Sequence, residues 1–368
     1  MEGTKKRVII CSTSDYAADY RLYKTTLSLT QLGFEVVRLG RHRKGHLHQE
    51  NEGIHLMKML FEKGPLFYLE MNIRLFLFLV LSKCHIIYSV DLDTLPGCRL
   101  AAMLRRKKLV FDSHEYFPEV PELKDRPLIK SIWLVLERML VPGIHLGVTV
   151  CHSIATIYKD KYGLPFYVVR NIPMEKRIQP SSDSTPPPRP FTLLYQGAVN
   201  EGRGLEPMIE TMPYLPQCRL VIVGDGPISQ QIKELVEQKG LNTRVLIEGK
   251  KPFDQLPSYM ANADLGLVLL ENKGLNYYYS LPNRLFDFIQ AGLPILAMDF
   301  PEMAAIVNGY HVGLCVDNME PEKLAQVIGQ IIQNRDEMAT WRKNMSQAAK
   351  ELTWEHEYEV LLQPLLNL

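Results

Sequence analysis

The chain lacks an excess of either charge. Its 368 residues include 42 Lys and Arg against 41 Asp and Glu, which gives a formal net charge of +1. Proteins that bind nucleic acid usually display a basic excess, so this balance argues against a nucleic-acid partner. Cysteine is also scarce, and none of the six cysteines forms a Cys-x-x-Cys pair. We therefore expect reduced thiols in the core, and neither a disulfide framework nor a zinc site.

Long hydrophobic runs are absent as well. Residues 1–7 are polar and basic, and the apolar run after them has only about four residues, too few for a signal peptide. The most apolar stretch, 66–81, carries Glu70 and Arg74 and is shorter than the ~20 residues that a spanning helix needs. We predict a cytoplasmic protein in which 66–81 is a buried helix. A helix that partly faces a membrane is the less favoured alternative.

The first half of the chain alternates strands and helices. Residues 7–11 are apolar, a helical pattern ends at Gly33, and 34–39 form a second apolar run, an order typical of a doubly wound α/β domain. The first loop, 12–15, lacks the glycines of a dinucleotide site, which argues against a Rossmann dehydrogenase. Further strands are predicted at 85–90, 108–111, 146–150 and 167–171. Polar residues follow these strands and should meet at one sheet edge.

A Pro- and Ser-rich stretch divides the chain. Residues 176–190 have the composition of an exposed linker, so we place the domain boundary there. A second alternating half follows, and several of its strands run into glycine turns. With those turns included, its strands are predicted at 191–197, 220–227, 245–251, 265–270, 294–298 and 313–316. Each half is long enough to form its own core.

Residues 280–294 read Ser-Leu-Pro-Asn-Arg-Leu-Phe-Asp-Phe-Ile-Gln-Ala-Gly-Leu-Pro. A polar loop here runs into an apolar-periodic helix, which Gly292 and Pro294 end. Arg284 and Asp287 are three residues apart and share one helix face. The start of a helix favours anions, phosphate above all. For such a pair alone, a capped surface helix with an intrahelical ion pair is the more common explanation.

Four segments of the second half together resemble the retaining group-one glycosyltransferases of the GT-B fold, which use nucleotide-sugar donors. They are Tyr-Gln-Gly with Gly-Arg-Gly-Leu at 195–205, Val-Gly-Asp-Gly-Pro at 223–227, Gly-Lys-Lys at 249–251, and 280–294. In the first half, 19–21, 91–96 and 112–115 are similar to patterns of the same class. The order and spacing of these segments are more specific than any one of them.

The resemblance implies an α/β protein with two Rossmann-like doubly wound domains that face a central cleft. Residues 1–175 are expected to form the N-terminal acceptor domain, and 191–348 the C-terminal donor domain that binds the nucleotide sugar. The linker at 176–190 separates them. The final helix, 349–368, is expected to cross back to the N-terminal domain, as is common in this fold.

The chain departs from the family pattern at several positions. Many members have two acids separated by seven residues; here Asp287 keeps the second, and Tyr279 replaces the first. Arg284 stands where related variants have a lysine. Ala198 stands where an arginine often follows the first glycine, which leaves Arg203 and Arg284 as the cations for the diphosphate.

The resemblance also implies roles for individual residues. Without a metal ion, the charge of the leaving diphosphate must be met by guanidinium groups and helix N-termini, the expected role of Arg203 and Arg284. Asp287 is expected to bind the ribose and His114 to lie near the reaction centre. The other expected donor-binding residues are Gly202, Gly224, Asp225, Lys250, Tyr279, Ser280, Leu281 and Asn283. The acceptor-side candidates are Ser14, Asp19, Arg21, Asp91 and Glu115. We expect no metal and no cofactor.

The expected reaction is retaining transfer of a hexosyl group from a nucleotide-diphosphate sugar to a glycan or lipid-linked acceptor, in cell-surface polysaccharide synthesis. Front-face attack would retain the anomeric configuration, with the leaving phosphate taking the acceptor's proton. The alternatives are a nucleotide-sugar epimerase of the same fold and a non-catalytic partner subunit. The basic, histidine-rich loop at 41–48 is interpreted as a solvated loop, not as a metal site. That loop and the helix at 66–81 are the candidates for peripheral contact with the inner face of a membrane.

Overall fold

The computed structural model describes residues 5–14, 19–42, 53–120, 123–174 and 189–368. They form two compact units. The first unit comprises the described residues up to Asn171 together with Trp354–Leu368, and the second comprises Ile172–Thr353. Most of the predicted linker at 176–190, and the predicted basic loop beyond His42, lie outside the described residues.

The first unit is built on a parallel sheet. Its strands are β1 (Arg7–Cys11), β2 (Glu35–Arg41), β3 (Ile54–Met57), β4 (Ile86–Val90), β5 (Lys108–Ser113), β6 (Leu146–Thr149) and β7 (Phe166–Val168). Their spatial order is β3-β2-β1-β4-β5-β6-β7. The order reverses between β1 and β4, and doubly wound sheets bind their ligands at such a reversal. Strand β3 was not predicted from the sequence, because a four-residue, half-buried edge strand gives too short an apolar pattern.

Helices connect these strands. They are α1 (Tyr20–Gln31), α2 (Pro65–Leu81), α3 (Asp91–Arg105), α4 (Pro127–Leu140) and α5 (His152–Tyr162). Local sequence sets several of their ends. Asp19 caps α1 by accepting a hydrogen bond from the Leu22 N–H at 3.1 Å. Gly163 ends α5 in the left-handed conformation that glycine adopts without strain.

Helix α2 differs from the buried helix that the sequence analysis favoured. It buries one stripe, made of Phe67, Met71, Leu75 and Leu79. Its other large apolar side chains are exposed by half or more at Leu66, Leu69, Ile73, Leu77 and Leu81. A helix that is apolar on all sides offers no periodicity from which the buried face can be read. No helix in the described ranges is long and apolar enough to cross a membrane.

The second unit repeats the parallel α/β design. Its elements are β8 (Phe191–Gln196), α6 (Leu205–Thr211), β9 (Cys218–Val223), α7 (Ser229–Gln238), β10 (Val245–Gly249), α8 (Leu256–Ala261), β11 (Leu265–Val268), α9 (Leu275–Tyr278), α10 (Asn283–Ala291), β12 (Ile295–Met298), α11 (Pro301–Tyr310), β13 (Gly313–Val316), α12 (Pro321–Gln333) and α13 (Arg335–Glu351). The sheet order is β10-β9-β8-β11-β12-β13, so this order reverses between β8 and β11.

Helix α10 is the helix that the sequence predicts within 280–294. It begins directly after Pro282, and Gly292 ends it in the left-handed conformation. Its predicted apolar stripe is buried at Leu285, Phe286, Phe288 and Ile289. An added Cβ on Gly266 of β11 would lie 2.4 Å from the Phe288 ring, so a glycine in the strand lets the helix pack directly onto the sheet.

The cysteines agree with the prediction of reduced thiols. All six are free, and five of them are buried. Burial raises the pKa of Cys84 and raises that of Cys218 to about 11, which keeps these thiols protonated near neutral pH.

Two short helices, α14 (Trp354–Tyr358) and α15 (Leu362–Leu366), return the chain to the first unit. Trp354 is 2% exposed, and its Nε1 donates a hydrogen bond to the Ser28 Oγ at 2.9 Å. The Lys24 ammonium lies 4.4 Å from the centre of the Trp354 ring. Helix α1 is therefore held from both sides, by the sheet and by the C-terminal segment.

We expect Trp354→Ala to destabilise the first unit by about 3–5 kcal/mol, because it removes a buried aromatic side chain and leaves a cavity. Amide hydrogen exchange in α1 measures this loss as faster exchange. Leu366→Ala removes a side chain that is 46% exposed and is the matched control, with an expected change within about 0.5 kcal/mol. Equal protection of α1 in the two variants would contradict the anchoring role of Trp354.

Candidate active site

The loops at the carboxyl edge of the second sheet are joined through their backbones. The Gly197 N–H bonds the Val223 carbonyl at 3.0 Å, and the Gly224 N–H bonds the Gly249 carbonyl at 2.9 Å. A Cβ added to Gly224 would lie only 1.8 Å from the Gly197 carbonyl oxygen. Loop packing therefore requires glycine at 224, independently of the donor-binding role predicted for it.

Arg284 lies at the strand-order reversal of the second sheet. Its side chain is 6% exposed, and its Nη2 donates to the carbonyl of Leu269, the residue after β11, at 3.4 Å. The guanidinium carbon lies 4.7 Å from the centre of the Tyr195 ring, a cation–π contact. Within the described ranges, Arg284 pairs with no carboxylate, so the Arg284–Asp287 ion pair that the sequence left open does not form.

Arg203 is the second guanidinium at this edge. It lies between Gly202 and Gly204, which both have positive φ, and its guanidinium carbon is 5.1 Å from the centre of the Tyr277 ring. The buried Nε atoms of Arg203 and Arg284 have no hydrogen-bond partner among the described residues. Burial lowers the pKa of Arg284, and the nearby positive charge of Arg203 acts in the same direction. Two cations that repel each other and lack a carboxylate form a site suited to an anion.

Asp287 lies one helical turn after Arg284 and borders a cavity of about 120 Å³. The side-chain amide of Gln196, at the end of β8, donates to the Asp287 carboxylate at 3.4 Å. Much of the lining is apolar, from Phe253, Leu256 and Met260. The cavity thus combines an apolar wall with three polar side chains, those of Gln196, Asp287 and Gln290. Gln196 is absent from the predicted site, although its position at a strand end next to Gly197 is the kind of signal that identifies such residues.

The other predicted donor-binding residues lie around these groups. Asp225 is exposed and accepts hydrogen bonds from the Ser229 hydroxyl (2.6 Å) and the Gly226 N–H (2.8 Å), which lower its pKa. Lys250 is exposed and has no ion pair in the described part of the chain, whereas Lys251 pairs with Glu248 at 3.0 Å.

The loop that leads into α10 contains the remaining predicted residues. Ser280 donates to the Tyr277 carbonyl at 2.8 Å, and the Tyr279 ring contacts the Tyr278 ring. Leu281 packs against the core of the unit. Asn283 is exposed at the first position of α10. The roles of these residues in donor binding stay predictions.

In the first unit, His114 lies between two carboxylates, Asp112 near the end of β5 and Asp91 directly after the neighbouring strand β4. Its Nε2 is 3.1 Å from the Asp112 Oδ2, and its Nδ1 is 3.9 Å from the Asp91 Oδ2. Its backbone N–H donates to the Asp91 Oδ1 at 2.8 Å. Burial tends to lower the pKa of His114, but the two carboxylates outweigh burial and raise it. The imidazole is thereby biased towards its charged form.

Asp112 holds this arrangement together. The carboxylate is 1% exposed and accepts hydrogen bonds from Arg21 (3.0 Å) and from the Tyr88 hydroxyl (2.8 Å), as well as contacting His114. Burial tends to raise the pKa of Asp112, but Arg21 and His114 outweigh burial, and the pKa falls far below the ordinary value. The sequence analysis named neither Asp112 nor Tyr88 as a site residue, because the contact with Arg21 joins residues far apart in the chain.

Asp91 has an unusual backbone and an unusual acidity. Its φ is 59°, in the left-handed region that aspartate tolerates better than most residues. Burial, with Glu115 and Asp93 adding to it, raises the pKa of Asp91 to about 8 although His114 opposes this. Perturbed carboxylates and strained backbones cluster at functional sites. Burial raises the pKa of Asp93, on the same helix start, to about 6, although the hydrogen bond that it accepts from the Thr13 hydroxyl at 2.5 Å acts in the opposite direction.

The other acceptor-side candidates make structural hydrogen bonds around the site. Asp19 caps α1 and accepts a hydrogen bond from the Ser14 hydroxyl at 2.8 Å. Arg21 is 4% exposed and donates to the Val169 carbonyl at 2.8 Å in addition to Asp112. Glu115 follows His114, and its carbonyl accepts a bond from the Ser113 hydroxyl. Within this unit, Arg21 therefore contacts the site through Asp112.

The second half of the chain matches a known family. Residues 178–351 match the family model described as "Glycosyl transferases group 1". The match includes the four segments of the second half that carried the resemblance, and it confirms that resemblance.

Curated relatives are similar at low identity. A chitobiosyldiphosphodolichol beta-mannosyltransferase of Candida albicans is 25% identical over 258 residues, which are 61% of this chain and 53% of that protein. A GDP-mannose-dependent alpha-(1-6)-phosphatidylinositol monomannoside mannosyltransferase of Mycobacterium tuberculosis is 24% identical over 139 residues, 36% of each chain. The chain therefore spans about half, or less, of the length of these relatives.

Solved structures match almost the whole chain. HepE of Anabaena, solved in complex with UDP, gives a TM-score of 0.74 at 15% identity and covers 99% of this chain and 100% of that chain. A sucrose-phosphate synthase of Thermosynechococcus elongatus gives 0.78 at 17% identity and covers 99% and 98%. At these identities the likeness shows the fold alone. It confirms the predicted GT-B fold with two Rossmann-like units.

The raised pKa of Asp91 makes stability fall as pH rises. Below about pH 4 both the folded and the unfolded state hold this proton, so Asp91 does not lower the free energy of unfolding. Between that pH and about 8, the unfolded state releases the proton while the folded state keeps it. Asp91→Asn should therefore raise Tm relative to the unchanged protein at about pH 8, by about 2–4 °C for each kcal/mol of relief, and leave Tm unchanged near pH 4.

Asparagine suits this test because it tolerates positive φ and still accepts the His114 N–H. The matched control is Asp125→Asn, at an exposed aspartate, for which we expect a Tm close to that of the unchanged protein. A Tm difference for Asp91→Asn that is the same at both pH values would contradict the raised pKa.

Proposed function

Since residues 178–351 match the group 1 glycosyl transferases, we propose that the protein is a metal-independent, retaining glycosyltransferase. It moves a hexosyl group from a nucleotide-diphosphate sugar to a glycan or lipid-linked acceptor. The observation that carries this proposal is the pair of guanidinium groups, Arg203 and Arg284, at the strand-order reversal of the second sheet. Neither group pairs with a carboxylate within the described ranges.

The arginine pair fits the chemistry of sugar transfer from a diphosphate. Breaking the sugar–phosphate bond adds negative charge to the leaving nucleoside diphosphate. Guanidinium groups bind phosphate oxygens in pairs and keep their charge at any physiological pH. Because the Arg284 side chain is already fixed by Tyr195 and the Leu269 carbonyl, it stabilises the developing charge without reorganising.

The cavity beside Asp287 fits the nucleoside. A carboxylate accepts hydrogen bonds from the two ribose hydroxyls, and Gln196 fixes the position of the Asp287 carboxylate. Phe253 and Leu256 offer an apolar surface against which a base can lie. HepE was solved with UDP, a nucleoside diphosphate, and the mycobacterial relative is named for GDP-mannose, a nucleoside-diphosphate sugar.

In the first unit, His114 is assigned to the sugar. Asp112 binds one ring nitrogen and raises the pKa of the imidazole, which favours its charged form, so the other nitrogen can donate a hydrogen bond to a sugar hydroxyl or oppose developing negative charge. Asp112 is itself held by Arg21 and Tyr88, which disfavours it as a covalent nucleophile. This favours front-face attack with retention, in which the leaving phosphate takes the proton of the acceptor.

A lipid-linked acceptor is favoured by the names of the relatives. The name of the Candida relative contains a dolichol diphosphate, and that of the mycobacterial relative contains a phosphatidylinositol monomannoside. We extend this to a role in cell-surface polysaccharide synthesis at the inner face of a membrane.

Removal of Arg284 tests the donor site. Arg284→Ala should lower kcat/KM by a factor of roughly 100–1000, corresponding to about 3–4 kcal/mol, because one preorganised donor to the transition state is lost. The donor is first chosen by a thermal-shift screen with UDP, GDP and ADP sugars. The matched control is Arg342→Ala, an exposed arginine of α13, which should change kcat/KM by less than about twofold.

Three results would contradict the proposal. One is that no nucleotide sugar shifts Tm. Another is that Arg284→Ala retains the kcat/KM of the control. The third is an isomerised donor seen by NMR without any acceptor, which would identify an epimerase. The anomeric configuration of the product, read from the NMR coupling at its anomeric carbon, separately decides between retention and inversion.

His114→Gln tests the first unit. We expect kcat to fall by about 100-fold or more while the KM for the donor changes little, because the imidazole acts mainly on the charge of the transition state. The enzyme is assayed with the donor that the screen selects. A rise in the KM for the donor of about 100-fold with unchanged kcat would contradict this. It would instead mean that His114 binds the donor equally in the ground state and in the transition state.

A further inference from the structure

Three neighbouring helices of the first unit expose large apolar side chains. On α2 these are Leu66, Leu69, Ile73, Leu77 and Leu81. On α4 they are Leu128, Ile132, Val135 and Met139, which recur at helical spacing on its outer side, and on α3 they are Leu100, Met103 and Leu104. Leu81 and Leu128 are exposed by 84% and 81%. We refer to these twelve side chains as the apolar helical face.

Direct contacts hold the three helices together. Helix α2 crosses α3 where the Gly97 N–H donates to the Asn72 side chain at 2.8 Å. An added Cβ on Gly97 would lie 2.5 Å from the Asn72 carbonyl oxygen, so the crossing is close. The Tyr68 ring of α2 meets the Trp133 ring of α4 edge to face, with ring centres 5.2 Å apart. The apolar helical face therefore belongs to one packed layer.

A basic run borders this face. Arg105, Arg106, Lys107 and Lys108 follow Leu104 without interruption, and none of them forms an ion pair in the part of the chain that the structure describes. Arg126, directly before α4, and Arg138 on α4 add exposed positive charge, with the exposed Asp125 next to Arg126. The acids of α2 and α4 themselves are already paired: Glu70 with Arg74 at 2.8 Å, and the buried Glu137 with Lys161 at 2.7 Å. The surface is thus apolar in its middle and positive at its border.

We propose that the apolar helical face docks the first unit onto the surface of a membrane that contains anionic lipids. Helices α2 and α4 lie in the plane of the interface with their apolar side chains among the acyl chains, and Arg105–Lys108 contact the headgroups. The docking goes beyond sugar transfer and does not depend on it. Only its use, to bring the acceptor-side residues to a lipid-linked acceptor, rests on the proposed function.

Charge favours a lipid surface over a second copy of the chain as the occupant. A second copy presents the same positive border, so the charges of the two copies are alike. Anionic headgroups present the opposite charge, and each basic residue at such a surface contributes to binding. The surface defined here also differs from the candidate in the sequence analysis, because α4 and the end of α3 replace the loop at 41–48.

Vesicle flotation tests the proposal. The full-length protein is mixed with vesicles of phosphatidylcholine alone or of equal parts phosphatidylcholine and phosphatidylglycerol, at low and high salt. We expect flotation with the anionic vesicles and at least about tenfold weaker binding to the neutral ones, with binding to the anionic vesicles weakened by salt. These measurements need no variant, so they hold whether or not a variant folds.

Two double variants locate the surface. The apolar variant is Ile73→Ser/Ile132→Ser, and the basic variant is Arg105→Glu/Arg106→Glu. Each should weaken binding to the anionic vesicles by about tenfold or more, while the Tm shift caused by the nucleotide sugar stays unchanged. That unchanged shift separates a failure of docking from a failure of the donor site.

The matched controls change residues of the second unit. Tyr214→Ser removes an apolar side chain that is 53% exposed, and Lys239→Glu/Lys343→Glu reverses two exposed charges. Both controls should float as the unchanged protein does. The proposal is overturned if the unchanged protein does not float, if the two variants float as well as the controls, or if light scattering shows a dimer that the apolar variant dissociates.

Discussion

The second unit depends on a buried cation for which the described part of the chain supplies no carboxylate. Burying the Arg284 guanidinium costs free energy, which is only partly offset by the Tyr195 ring and the Leu269 carbonyl. The apolar stripe of α10 packs on β11 and so fixes the position of the helix that carries the arginine. An anion that binds here relieves the cost, so the stability of the unit and its affinity for that anion are linked.

The first unit contains the opposite arrangement, a buried carboxylate surrounded by donors. Asp112 accepts hydrogen bonds from Arg21 and Tyr88 and contacts His114. The negative charge of Asp112 raises the pKa of the histidine, although the positive charge of Arg21 acts in the opposite direction. In the first unit Asp112 lies near the end of β5 and His114 directly after it, beside the reversal of strand order. In the second unit Arg203 follows β8, and Arg284 on α10 contacts the residue after β11, at the reversal. The topology thus explains why both sites are polar although strands and helices are mostly apolar.

Local patterns were enough to predict much of the fold. The α10 helix, its capping glycine and all but one of the strands follow from apolar periodicity and turn residues. Long-range contacts were not predictable in this way. Arg21 and Asp112 are 91 residues apart in the chain, and so are Gln196 and Asp287, which also form a hydrogen bond. The exposed side of α2 was also missed, because apolar residues on every side of a helix carry no information about which side is covered.

The most direct test of the central claim compares nucleosides with their diphosphates by titration calorimetry. Under the proposed function, uridine, guanosine and adenosine occupy only the cavity beside Asp287, whereas the diphosphates of UDP, GDP and ADP also contact Arg203 and Arg284. For the base that binds, the diphosphate should bind roughly 100-fold more tightly than the nucleoside, and the advantage should shrink as salt is added. Equal affinity of nucleoside and diphosphate would contradict the claim that the arginine pair is built for an anion.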